Sequence, residues 1–143
     1  EHSIMPENLQ LEITEGTFLK ESVNADGVLH KLASFGFRLA IDDFGTGYSS
    51  LAYLKRFNVD VIKIDRSFIK DIETDASDRD IVSAILAMNK KLGFKTLVEG
   101  VETDMQDRIV QDLGCDSAQG YLYGRPTFAD EFAETYILRR SQH

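Results

Sequence analysis

The stretch Arg38-Leu39-Ala40-Ile41-Asp42, followed by Asp43-Phe44-Gly45-Thr46-Gly47-Tyr48-Ser49-Ser50, decides the fold class of this chain. Its first part predicts a strand, and the two glycines after it predict a loop. Ser50 is a suitable N-cap for a helix that runs to about Phe57. The stretch is therefore one β–α unit, with acidic side chains where the strand ends.

Four further β–α units surround this one. Before it, the alternation in Leu9-Gln10-Leu11-Glu12-Ile13 predicts a strand, and Val28 to Ala33 predicts a helix that ends at Gly36. After it come predicted strands at Val59 to Ile64, Lys95 to Glu99 and Ser117 to Tyr121, and helices at about Asp78 to Leu92, Thr103 to Leu113 and Pro126 to Leu138. Five strands, each followed by a helix and with no hairpin signal, indicate a parallel α/β sheet in one domain.

Two parallel architectures are compatible with this order, an open doubly wound sheet and part of a (β/α) barrel. A polar side chain stands at or near the carboxyl end of every predicted strand, namely Glu12, Asp42, Lys63, Glu99 and Gln119. Polar groups at the ends of successive strands are typical of a barrel active site, whereas an open sheet concentrates its site at one switch point. We therefore predict a partial TIM-type barrel.

A closed barrel of this type needs eight strands and roughly 250 residues. The chain has 143 residues and five predicted strands, which alone would leave two parallel edges unpaired. We expect the first three β–α units to lie upstream, so that residues 1–143 form the C-terminal portion of a single domain.

Composition argues against several classes of protein. The chain has 24 acidic and 16 basic residues and a net charge of −8, which disfavours a general DNA-coating protein, because phosphate neutralisation needs clustered Lys and Arg. The lone Cys115 permits no disulfide within the chain and suits a reducing, cytoplasmic setting. No apolar run approaches the ~18 residues of a membrane span, so we expect no membrane insertion by this segment.

Four carboxylates are predicted to meet at one rim of the sheet, those of Glu12, Asp42, Asp43 and Glu99, with Lys63 as the single local base. One interpretation is a buried ion-pair network that only joins the strands. However, one ammonium group cannot neutralise four carboxylates, and unpaired buried charge is costly. A pair of divalent cations can neutralise these four carboxylates. Ligation by oxygen alone favours Mg²⁺ or Mn²⁺. Paired cations of this kind polarise a phosphoryl oxygen, which points to phosphoryl chemistry.

Lys63 and the loop from Asp43 to Ser50 each have two interpretations. Lys63 either orients an attacking water and stabilises charge on a phosphate, or forms a structural salt bridge to a neighbouring carboxylate. Gly45 and Gly47 permit backbone geometries closed to other residues and precede a helix start that favours anions, or they belong to an ordinary loop with a serine cap. Their spacing lacks the third glycine of the dinucleotide-binding fingerprint.

Taken together, these motifs resemble the EAL domain, the bacterial phosphodiesterase family that hydrolyses cyclic di-GMP. The matching segments follow one another across nearly the whole chain: Leu11 to Glu15, Asp42 to Leu51, Lys63 to Asp65, Glu99 to Glu102 and Gln119 to Tyr121. The match begins about midway through the family's barrel, so the Glu-Ala-Leu strand and the asparagine ligand of the family do not occur in residues 1–143.

The resemblance implies a role for each rim residue. Glu12 and Asp42 would bind a first metal ion, with Asp42 bridging to a second ion held by Asp43 and Glu99. Lys63 would position the nucleophilic water. The candidate catalytic residues are Lys63 and the metal ligand Glu99. The remaining candidates would bind substrate or anchor loops: Glu15, Gly45, Gly47, Glu102, Gln119, Tyr121 and Arg125. For the two glutamates of this set, solvated loop charges are the alternative.

The reaction implied is the opening of one phosphodiester bond of cyclic di-GMP to give linear pGpG. The resemblance also implies Mg²⁺ or Mn²⁺ as cofactor and a homodimer formed through EAL–EAL contacts. We expect the parent protein to be an active enzyme and the isolated piece to be weak or inactive. The alternatives are a non-catalytic signalling module that binds cyclic di-GMP, and an EAL-type interaction scaffold.

Overall fold

A computed structural model describes residues 4–20, 25–47, 54 and 59–138 of the chain. Its sheet has five strands, β1 (Gln10–Thr14), β2 (Arg38–Phe44), β3 (Val61–Ile64), β4 (Lys95–Val98) and β5 (Ser117–Ala118). The helices are α1 (Glu15–Lys20), α2 (Ala25–Ser34), α3 (Ala76–Leu92), α4 (Asp104–Asp112) and α5 (Ala129–Phe132). Two 3₁₀ turns lie at Pro6–Asn8 and Arg66–Phe68, and a π-helical segment at Ala133–Leu138 follows α5.

The strands lie side by side in chain order, and every neighbouring pair is parallel. A doubly wound sheet reverses its strand order at a switch point, and the described strands show no such reversal. The order β1-β2-β3-β4-β5 is that of consecutive units of a (β/α) barrel, which confirms the predicted fold class. Every strand therefore delivers its carboxyl end to the same rim.

The core consists of two apolar clusters along the sheet. The first cluster surrounds the middle of β2 and includes Leu39, Ile41, Phe44 and Ile62. The second lies between β3, β4 and the helices after them and includes Ile64, Val82, Val98 and Val110. Because the buried side chains of β2 and β3 are almost completely inaccessible, the backbone at the carboxyl ends of these strands is firmly held.

Several predicted boundaries differ from the observed ones. Helix α2 begins at Ala25, α3 begins at Ala76 behind an Asp75 N-cap, and α1 was not predicted. The last helical segment begins at Ala129, so the prediction that Pro126 starts it is wrong. The helix predicted from Ser50 to Phe57 lies outside the described residues except for Leu54, which is helical and buried.

Helix α3 ends as predicted. Gly93 follows its last residue with a φ of 83° and donates its N–H to the carbonyl of Asn89, the left-handed C-cap that glycine favours. Among the described residues, no helix is both long and apolar enough to cross a bilayer.

Candidate metal centre

The carboxyl ends of the strands bring the predicted rim residues together. Glu12 lies on β1 and is paired in register with Ala40, Lys63 lies on β3, and Glu99 directly follows β4. These three positions follow from the parallel register alone. The positions of Asp42 and Asp43 at the end of β2 depend in addition on a bulge.

A bulge at the end of β2 places two adjacent carboxylates in one group. The pairing of β2 with β3 shifts between Ile41 and Phe44, and Asp43 has a φ of 56°. Neighbouring side chains of a regular strand point to opposite faces, but an extra bulged residue re-aims its side chain. One carboxylate oxygen from each of Asp42, Asp43 and Glu99 consequently lies within 4.8 Å of the others. The strand was predicted to end at Asp42, whereas it continues through the bulge to Phe44.

Lys63 lies at the centre of the rim and is only 3% exposed. Its Nζ lies 2.7 Å from an Oε of Glu12, 2.8 Å from Oδ1 of Asp42 and 2.9 Å from Oε1 of Glu99. Burial acts to lower the pKa of this ammonium group, but its close contacts with the three carboxylates outweigh burial and raise the pKa above its ordinary value. Lys63 is thus a fixed positive charge shared by three strands.

The donor set fits divalent cations that prefer oxygen ligands. Four carboxylates against one ammonium group leave a formal charge of 1 − 4 = −3 at the rim. Oδ1 of Asp42 is buried and accepts no well-directed hydrogen bond, although the ammonium group of Lys63 lies 2.8 Å away. A buried oxygen without a directed donor, beside two further carboxylates, is a suitable ligand for a hard cation. Glu12 contacts Lys63 and is not a member of the three-carboxylate group.

Glu15 anchors the glycine loop that follows β2. Its side chain, at the start of α1, is 2% exposed. Oε2 accepts hydrogen bonds from the backbone N–H of Gly45 (3.0 Å) and of Gly47 (3.1 Å). A Cβ at residue 47 would lie 3.3 Å from Cδ of Glu15, so the loop approaches the carboxylate closely. Glu15 is therefore a buried loop anchor and not a solvated charge.

The remaining candidates lie around a cavity of about 710 Å³ that adjoins the carboxylate group. Gln119 donates a hydrogen bond to Oε1 of Glu99, which links the end of β5 to the rim. Glu102 is exposed, and its backbone N–H donates to Oε1 of Gln106 (2.7 Å). The guanidinium of Arg125 lies 4.1 Å from the ring centroid of Tyr121. The four candidates Glu102, Gln119, Tyr121 and Arg125 all line the cavity.

Arg66 also lines this cavity and was not predicted from the sequence. It directly follows the Lys63–Asp65 motif, and this position next to a motif of the family is the sequence feature that could have identified it. Gly100, with a φ of 77°, makes room for it, because a Cβ at residue 100 would lie 2.5 Å from Cβ of Arg66.

The sequence profile of the EAL domain matches residues 1–126, and the chain therefore belongs to the EAL domain family. Among characterised relatives, the bifunctional diguanylate cyclase/cyclic di-GMP phosphodiesterase MucR of Pseudomonas aeruginosa is 46% identical over 130 residues. That match covers 91% of this chain and 19% of MucR, so the chain spans about a fifth of the length of this relative.

Solved structures agree with this assignment. A structure of the P. aeruginosa MucR phosphodiesterase in complex with c-di-GMP superposes with a TM-score of 0.88 at 46% identity, covering 92% of this chain and 53% of that one. Structures of Klebsiella pneumoniae BlrP1 with c-di-GMP and either calcium or manganese give TM-scores of 0.80 at 36% identity, covering 86% of this chain and 31% of that one.

Proposed function

We propose that this chain supplies the C-terminal, metal-binding part of a phosphodiesterase that hydrolyses cyclic di-GMP to linear pGpG. The observation that carries the proposal is the group formed by Asp42, Asp43 and Glu99 beside the buried Lys63. MucR, whose name and complex both point to cyclic di-GMP, supports the choice of substrate. Residues 1–143 are proposed to follow the first β–α units of one EAL domain.

The proposed cofactor is a pair of Mg²⁺ or Mn²⁺ ions. Asp42, Asp43 and Glu99 would hold these ions together with Glu12. As the family resemblance implies, Asp42 would be a ligand of both ions. When bound, such ions polarise a phosphoryl oxygen and stabilise the charge that develops there. The BlrP1 complex with manganese and c-di-GMP supports a divalent cation together with this nucleotide.

Lys63 is proposed to orient the attacking water. Its buried ammonium group has three N–H donors and lies beside three carboxylates. A donor released when one of these carboxylates binds a cation would then be available to the attacking water. An ammonium group offers donors and no acceptor, and it therefore positions a water or a phosphate oxygen and does not remove a proton. The proton of the attacking water would pass to a carboxylate of the rim.

Glu15 is proposed to couple this rim to the glycine loop. Any displacement of Gly45 or Gly47 must break a hydrogen bond to a buried carboxylate. Because the loop begins at Asp43, such a displacement also moves a proposed metal ligand. The resemblance to EAL domains implies that this loop couples metal binding to the dimer contacts. We therefore propose a homodimer in the cytoplasm for the parent protein.

Hydrolysis of cyclic di-GMP tests the proposal directly. We expect the full-length protein to release pGpG in Mg²⁺ or Mn²⁺ and to lose this activity in EDTA, and the isolated 143-residue chain to be weak or inactive. Asp42→Asn should abolish turnover, whereas the matched change Asp112→Asn, on the exposed side of α4, should not. Binding of cyclic di-GMP without turnover by the full-length protein would instead identify a signalling module, and no binding of nucleotide or metal would identify a scaffold.

A further inference from the structure

The cavity beside the carboxylate group extends well beyond the proposed metal ligands. It begins at Glu99 and continues over the end of β5 to the C-terminal helical segment, where Phe132 and Tyr136 form part of its wall. Its volume of about 710 Å³ is in the range of pockets for nucleotide-sized ligands. One end is therefore polar and adjoins the rim, and the other end is aromatic.

Arg66 occupies the polar end of this cavity. Its side chain is exposed, and it forms no ion pair with any carboxylate of the described residues, although Glu99 and Glu102 line the same cavity. The first part of its side chain packs against Gly100, because a Cβ at residue 100 would lie 2.5 Å from Cβ of Arg66. An exposed guanidinium in a cavity wall, without an ion pair to any described carboxylate, is available to an anion from solution.

The aromatic end offers a different kind of contact. The stacked pair of Arg125 and Tyr121 presents a flat face, since the guanidinium carbon lies 4.1 Å from the ring centroid. Tyr123 adds a second ring to the lining. Aromatic rings and guanidinium planes are the surfaces on which nucleobases stack. The cavity thus has Arg66 near the rim and a stacking surface farther away.

We propose that Arg66 binds a phosphate of the cyclic dinucleotide and is a main determinant of its affinity, while the Tyr121–Arg125 pair carries the attached base. This inference rests on the proposed function and names a residue outside the proposed metal site. A guanidinium binds phosphate oxygens in a bidentate manner, which an ammonium group cannot reproduce fully. The contact forms with substrate as well as with the transition state, so its loss changes KM more than kcat.

The test compares Arg66→Ala, Arg66→Gln and Arg66→Lys in the full-length protein. We expect Arg66→Ala and Arg66→Gln to raise KM for cyclic di-GMP about tenfold with kcat within twofold of the unmutated protein, and Arg66→Lys to recover part of the loss. Calorimetric titration with cyclic di-GMP in calcium should give a parallel increase in Kd. Arg108→Ala on α4 removes the same charge from an exposed position outside the cavity and should change neither KM nor Kd.

The inference is overturned if Arg66→Ala leaves KM and Kd within twofold of the unmutated protein, or if kcat falls while KM stays constant. It is equally overturned if the Arg108→Ala control shows the same loss of affinity for cyclic di-GMP. The loss would then come from removing a positive charge anywhere on the protein, and not from the Arg66 contact. Failure of the unmutated protein to bind or hydrolyse cyclic di-GMP contradicts the proposed function itself, and is distinguished in this way from failure of the Arg66 contact.

Discussion

Asp43 adopts a left-handed backbone conformation (φ 56°) directly after Asp42, and as a result the two neighbouring carboxylates converge on one point beside Glu99. It is the only non-glycine residue with a positive φ among the described residues. A backbone in this region is unfavourable for most side chains, whereas Asn and Asp tolerate it best. The strain therefore coincides with the proposed metal site, where such outliers concentrate.

Asp43→Asn separates the charge of this residue from its backbone conformation. Because asparagine tolerates the same φ, we expect the bulge to persist and the affinity for Mn²⁺ to fall at least about tenfold. In EDTA the variant should be as stable as the unmutated chain or about 1 kcal/mol more stable, because one of three adjacent negative charges is removed. Calorimetric titration with Mn²⁺ and urea unfolding in EDTA measure the two effects. An unchanged Mn²⁺ affinity would exclude Asp43 as a ligand.

Lys63→Met tests whether the rim depends on an ion pair or on a cation. Without the ammonium group, three carboxylates within 2.9 Å of Nζ lose their counter-charge. We expect the free energy of unfolding in EDTA to fall by about 3–5 kcal/mol. Bound Mn²⁺ should restore much of this loss, since divalent cations can neutralise the same carboxylates.

Urea unfolding of Lys63→Met and of the unmutated chain, each with EDTA and with Mn²⁺, gives the comparison. Lys91→Met, on the exposed end of α3, is the control for loss of a lysine charge. Equal stabilisation of Lys63→Met and the unmutated chain by Mn²⁺ would show that the lysine and the cation do not share the rim carboxylates.

Glu15→Ala should release the glycine loop. The change removes the acceptor of two N–H groups and opens a buried space, and we expect a loss of about 2–4 kcal/mol in stability. Amide hydrogen exchange is the specific measurement, because the N–H groups of Gly45 and Gly47 should exchange at least about tenfold faster while those of β3 remain protected. Glu131→Ala, an exposed acidic residue of α5, serves as control. Unchanged exchange at both glycines would refute the anchoring role.

The parallel sheet and the positions of the rim residues were predictable because they depend on short-range patterns. Strand period and helix caps determine where each strand ends, and parallel strands bring those ends to one edge. Glu12, Lys63 and Glu99 were therefore found from sequence alone. The meeting of Asp42 and Asp43 at this rim was predicted as well, but the bulge that causes it was not, because a bulge depends on the register with β3.

Two other features depend on contacts between distant segments. Arg66 is part of the cavity only because Gly100, thirty-four positions away in the chain, leaves space for it. The last helical segment begins at Ala129 and not at Pro126, since proline tolerates a first helical turn but does not require one. Local propensity identifies candidate boundaries, and tertiary contacts select among them.

Asp116 clamps β4 to β5, and its ionisation should make that clamp pH-dependent. Its Oδ1 accepts from Nζ of Lys95 (2.8 Å) and its Oδ2 from the N–H and hydroxyl of Thr96 (2.9 Å each). The hydrogen bond from Lys95 is the largest cause that holds the pKa of Asp116 below its ordinary value of 3.8, against the opposing effect of burial. A depressed carboxyl pKa adds stability above the pKa of the unfolded chain and loses it as pH falls through the folded value.

Asp116→Asn should therefore cost about 1 kcal/mol at pH 7, and progressively less below about pH 4. Urea unfolding of both proteins at several pH values between 3.5 and 7 measures the difference. This range begins near the ordinary pKa of an aspartate and extends about three units above it. A difference in stability that stays constant over this range would show that the carboxylate charge contributes nothing to the clamp.

Gly120→Ala should disrupt the turn that carries Gln119 and Tyr121 into the cavity wall. A Cβ at residue 120 would lie 2.0 Å from the carbonyl oxygen and 2.4 Å from the nitrogen of Val101, and neither backbone atom can move without breaking its own hydrogen bond. We expect a loss of about 1–3 kcal/mol in the free energy of unfolding, together with weaker binding of cyclic di-GMP. Gly27→Ala is the matched control, because residue 27 lies within α2 with nothing within 4 Å of the added carbon. There the same change should raise stability by about 0.5–1 kcal/mol through helix propensity, so opposite signs at the two glycines separate a close backbone contact from a general effect of an added methyl group.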